Sequence, residues 1–93
     1  MTEQDRLTML KTDLGISSTG YDDRLKQYLT AAEKSVKQEG ASTLDVTQLE
    51  DAQLVVMYAA WSWRKRDTGD GMPRMLRWAL NNRIFSEKAK AVT

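Results

Sequence analysis

The side chains best suited to chemistry crowd into the second half of the chain. Arg64, Lys65 and Arg66 form one cationic cluster, Arg74 and Arg77 follow, and Trp61, Trp63 and Trp78 are interleaved with them. Guanidinium groups fork onto phosphate or carboxylate, and indoles stack on bases or anchor protein contacts. Two readings of the cations stand side by side. Positive charge at a helix C-terminus favours the helix dipole and keeps the segment hydrated. Alternatively, two helix ends converge on one positive patch facing phosphate or a carboxylate-rich partner. For the tryptophans, base stacking competes with ordinary burial in an alanine-rich helix. Trp61 and Trp63 lie about 200° apart on a helix, so they cannot share a face. Trp61 aligns with Leu54 and Tyr58 and is expected in the core, which leaves Trp63 as the candidate subunit contact.

The remaining chemistry is sparse. The chain has no cysteine and no histidine, which excludes thiolate nucleophiles, imidazole bases and the usual zinc ligand sets. Asp67 and Asp70 flank glycines, but the further oxygen ligands of a calcium loop are missing and turn chemistry accounts for them. Asp22, Asp23, Glu50 and Asp51 fall in first helical turns, where the dipole accounts for them. No catalytic, cofactor-binding or metal-ligating residue is expected, and no small-molecule substrate.

These residues must be positioned by helices. Thr2 with Asp5 forms a capping pair before Leu7, Leu10 and Leu14, and Gly15 stops a first helix over about 3–14. Thr19 is placed to cap a second, whose stripe Tyr21, Leu25, Tyr28, Leu29, Ala32 and Val36 ends at Gly40. Thr47 and Glu50 read as a T-x-x-E box for a third helix over about 48–66, apolar on nearly every side. After the turn "DTGDG", Pro73 opens a fourth, with Met75, Leu76, Ala79 and Leu80 on its buried side and Asn81 and Asn82 loosening its end. Only Leu44–Val46 is allowed as a short extended piece. The expected fold is an all-α small bundle of about four helices with short connections. It forms one domain over 1–88, with "SEKAKAVT" polar and 89–93 a flexible C-terminal tail.

Charge is asymmetric. Residues 1–63 hold six Lys/Arg against ten Asp/Glu, whereas residues 64–93 hold eight against three, although the whole chain is only +1. Such a division serves nucleic-acid contact or subunits stacking a basic face on an acidic one. The longest apolar run, Leu54 to Trp63, is about half a membrane span. The N-terminal residues do not form a signal peptide, so a cytoplasmic protein is expected.

The stretch "QLVVMYAAWSWRKRDTGDGMPRMLRWALNNRIFSEK", Gln53 to Lys88, with "LGISSTGYDDRLKQYLTAAEKSVKQEG" before it, resembles the head-tail connector family of tailed phages and prophages. These proteins are also called head-completion adaptors or DNA-packaging proteins. The likeness covers roughly 5–88 and is a whole-chain likeness without a catalytic signature. It implies a non-enzymatic virion protein in the neck between head and tail, made in the host cytoplasm. Copies would form a homo-oligomeric, dodecameric ring on the portal protein. That ring extends the channel for duplex DNA, held without sequence preference, and docks a neck or tail completion protein. Trp63, Arg64, Lys65, Arg66, Arg74, Arg77 and Arg83 are the expected subunit, portal or channel contacts. A compact connector between the second and third helices departs from adaptors with a long loop there. The alternative is a stand-alone DNA-binding helical module.

Overall fold

In the computed structural model, which describes the backbone of residues 1–92 and side chains as far as Ala89, four helices follow in chain order. They are α1 (Glu3–Leu14), α2 (Asp22–Glu39), α3 (Leu49–Thr68) and α4 (Arg74–Val92). The all-α reading holds, and Leu44–Val46 is turn and irregular backbone rather than strand.

Local rules explain most boundaries. The Thr2 hydroxyl accepts from the Asp5 backbone N–H while the Asp5 carboxylate accepts from the Thr2 N–H, completing the capping box of α1. These bonds favour the ionised carboxyl and hold Asp5 below its ordinary range. Gly15 closes α1 in the left-handed conformation, φ 70°; its N–H donates to the Thr12 carbonyl and the Ile16 N–H to the Lys11 carbonyl. Lys11 in the last turn of α1 then pairs with Asp22 in the first turn of α2 at 2.8 Å.

Two expected caps do not form. Tyr21, not Thr19, occupies the N-cap of α2, and its side chain makes no capping bond. At α3 the N-cap is Gln48, again without a side-chain bond. The Thr47 hydroxyl donates instead to Asp45 Oδ1 at 2.6 Å, and Asp51 Oδ2 accepts from the Asp45 N–H at 2.9 Å. A local turn over 45–47 therefore competes successfully for the groups of the T-x-x-E box. Asp45 titrates below its ordinary range because the Thr47 hydroxyl and N–H both donate to it.

Helix α3 is the hub, with α1, α2 and α4 all packed against it. Its apolar character on every side follows from that position. Ala52, Val55, Val56, Ala59 and Trp63 form one buried stripe, Ala60 is buried beside it and Leu54 on the opposite side. Small alanines let the neighbouring helices approach closely, and Leu7, Leu10, Leu25, Leu29 and Val36 complete the core from α1 and α2. Helix α4 adds Leu76 and Leu80, both buried, with Ile84 partly so.

Asn81 and Asn82 do not end α4, which continues to Val92, so residues 86–92 are helical backbone; Thr93 lies outside the described residues. Ile84 reaches the C-cap of α2, where Gly40 has φ 136° and an added Cβ would stand 3.0 Å from Ile84 Cγ2. Only glycine combines that backbone angle with so close a neighbour. Gly40→Ala is expected to lower stability by about 1–3 kcal/mol, from backbone strain and displaced packing together. Reversible thermal unfolding of the variant measures it.

Candidate functional site

Packing overturns the Trp63 half of the tryptophan assignment and keeps Trp61 against the core only in part. Trp63 is 9% exposed, with Tyr21 and Tyr28 edge-on to its indole at centroid distances of 5.8 and 5.2 Å. The Arg66 guanidinium lies 3.9 Å above the same ring and donates to the Trp63 carbonyl at 3.0 Å. Trp63 is thus a core residue between α2 and α3, not a subunit contact. Trp61 is half-buried, edge-on to Tyr58, capped by Lys65 at 4.2 Å, and its Nε1–H donates to the Asp70 carbonyl at 3.2 Å. The line Leu54–Tyr58–Trp61 exists, but it lies on the opposite side of α3 from the stripe ending at Trp63, which faces α2. Trp78 is 65% exposed.

Several of the predicted contact cations serve the fold. Arg64 donates to the Asp13 carbonyl at 2.7 Å, tying α3 to the last turn of α1 where carbonyls lack helical partners. Arg66 and Lys65 stack on indoles, as above. Arg83 departs furthest from the expectation of an outward contact. Its Nε donates to Asp51 Oδ1 at 2.9 Å and its Nη1 to Glu87 Oε2 at 3.4 Å, and all three side chains are at most 15% exposed. Hydrogen bonding to Asp51 raises the Arg83 pKa further above its already high value.

Glu87 completes this clip. It accepts from the Ser42 hydroxyl at 2.6 Å, the Thr43 N–H at 2.6 Å and the Thr43 hydroxyl at 2.5 Å, so one carboxylate fastens α4 to the connector between α2 and α3. The Ser42 and Thr43 donors, with Arg83 behind them, pull its pKa from 4.5 to about 2. No sequence rule places a glutamate of α4 against residues more than forty positions earlier.

What remains outward is one helix face. Arg74 and Arg77 are exposed and form no salt bridge among the described residues. Beside them stand Met75, 71% exposed, Trp78, and Phe85, 73% exposed. Met75 was expected on the buried side. At 100° per residue it lies well off the Leu76–Leu80–Ile84 direction. Between α3 and α4 a groove runs beside this face, with Leu54, Met57 and Ala79 in its floor and Gln53, Glu50, Trp78 and Asn82 along its walls. Among the described residues no three His, Cys, Asp or Glu side chains are grouped to hold a metal ion. No described helix is long and apolar enough to cross a membrane.

Two outcomes are expected. Trp63→Ala should cost about 3–5 kcal/mol of stability, whereas Trp78→Ala should leave unfolding of the dilute chain within about 0.5 kcal/mol. Denaturant titration compares them. For Glu87 the folded-state pKa is depressed, so its contribution is complete above about 4.5 and disappears as pH falls toward about 2. The stability gap between the native chain and Glu87→Gln, followed by thermal unfolding at successive pH values, should therefore be constant at neutral pH and close over that acid window. Comparisons with protein-family models, with curated proteins and with solved structures find no match to this chain.

Proposed function

We propose that this chain is a structural subunit of a tailed-phage head-tail connector. In this reading it assembles as a ring on the portal vertex, extends the DNA channel, and offers a docking surface to a neck or tail completion protein. The observation that carries the reading is the outer face of α4. A helix of a small domain presents Met75, Trp78 and Phe85 to water beside Arg74 and Arg77, an arrangement that suits a subunit completed by other chains. The whole-chain likeness over 5–88 points the same way.

The contacts that Arg64, Lys65, Arg66 and Arg83 make within the chain leave Arg74 and Arg77 as the cations best placed for portal or channel contacts, although the first three stay exposed. Cations set on a ring would meet duplex phosphate without reading sequence. The double variant Arg74→Glu/Arg77→Glu is expected to keep the helical circular dichroism and melting temperature of the native chain while failing to complete heads in an in vitro portal-and-tail assembly reaction. Normal yield of tailed particles from that variant would remove the site assignment. Tight, steeply salt-dependent duplex binding by the free chain would point to a DNA-binding module instead.

A further inference from the structure

Along α4, Met75, Trp78, Asn82, Phe85 and Ala89 recur at spacings of three, four, three and four, the period of a seam where one helix lies along another. All five are exposed. The seam lies roughly opposite the face that carries Leu76, Leu80 and Ile84 to α3. Helix α4 is therefore apolar on two faces, and this chain covers one.

We propose that the seam is covered by α4 of a second copy, running antiparallel about a two-fold axis level with Leu80. The occupant follows from self-complementarity. In the antiparallel register each seam residue meets a partner whose number sums with its own to about 160. Met75 then lies over Phe85 of the second copy, a thioether against an aromatic ring. Trp78 lies beside Asn82 of the second copy, whose amide oxygen accepts the indole N–H as both leave water. Two-fold symmetry repeats both contacts, so four layers form from two residue pairs. Ala79 on one flank lets the helices close. A single asparagine in an otherwise apolar seam is the kind of residue that fixes register.

The area is sufficient. Trp and Phe side chains bury about 150–250 Å² each when fully covered. With two copies of each, largely exposed beforehand, plus Met75 and the flanking side chains, the contact reaches about 1,000–1,200 Å². That clears the threshold of a biological contact and is the size of a weak, concentration-dependent pair. Charge argues for an apolar contact rather than an ion-paired one. The exposed charged side chains flanking the described seam are Arg74, Arg77 and Lys88 of α4 and Glu50 of α3, which lines the groove beside Trp78 and Asn82, so the approach of Arg74 to Lys88 of the second copy is offset by Glu50 near Arg77. The pair is therefore held as salt rises, unlike phosphate binding. A two-fold contact closes after two copies, so this pairing describes the free chain; it covers the same face of α4 that carries the connector reading and opens where the ring forms, and sedimentation of the free chain tests it apart from assembly on the portal.

Sedimentation equilibrium of the full chain, from micromolar to submillimolar concentration, tests it. Twice the chain mass is expected, held as sodium chloride rises. Trp78→Lys and Phe85→Lys should each weaken the pair at least about tenfold with helical circular dichroism unchanged; either variant suffices if the other fails to fold. The native chain has no cysteine, so single-thiol variants fix the direction. A mixture of M75C and F85C chains should yield the mixed disulfide, and M75C alone should stay unlinked because its two copies lie about 15 Å apart along the axis. A monomer throughout, a mass beyond two copies, dissociation by salt, or rapid linking of M75C alone overturns the proposal.

Discussion

Helix α3 must be buried on nearly every side, and that requirement organises the molecule. "AQLVVMYAAWSW" leaves no polar face wide enough to meet water, so neighbours must surround it. Helices α1 and α2 cover the Ala52–Val55–Val56–Ala59–Trp63 stripe, and α4 covers part of what is left. Among the described residues the outer side of α4 stays uncovered. The uncovered apolar surface is thus displaced outward by one layer. It appears as Met75, Trp78 and Phe85.

The polar groups around this core mostly hold helix ends in place. Arg64 ties α3 to α1, Lys11 and Asp22 join α1 to α2, and Arg83 with Asp51, Glu87, Ser42 and Thr43 holds α4 against the connector. Cations that look like a binding patch in the sequence are therefore largely structural. Arg74 and Arg77, in the first turn of α4, are exposed without a salt bridge among the described residues. The functional reading has moved from the end of α3 to the outer side of α4.

Local features were legible in the sequence wherever one rule acted alone. The Thr2–Asp5 box, the Gly15 and Gly40 stops and the stripe of α2 are each decided by near neighbours. Where two local options used the same atoms, the pattern misled. The Thr47 hydroxyl was committed to Asp45, so the T-x-x-E box stayed open. Tertiary geometry misled further. Trp61 and Trp63 both fit an apolar stripe, and which one is buried depends on where α2 lies. Asn81 and Asn82 read as a helix end, but the Arg83–Glu87 clip carries α4 past them. The exposed seam at 75, 78, 82 and 85 was hidden by the same ambiguity, because Met75 sits next to Leu76 in sequence and on a different face in space.

The central claim is that the domain hides one indole for itself and reserves another for a different chain. Indole N–H resonances in nitrogen-15 spectra recorded across a dilution series test it directly. The Trp78 signal should shift and lose solvent exchange as concentration rises, while the Trp63 signal stays fixed and protected throughout. A Trp78 signal indifferent to concentration, or a Trp63 signal exchanging as freely as Trp78, would contradict the account.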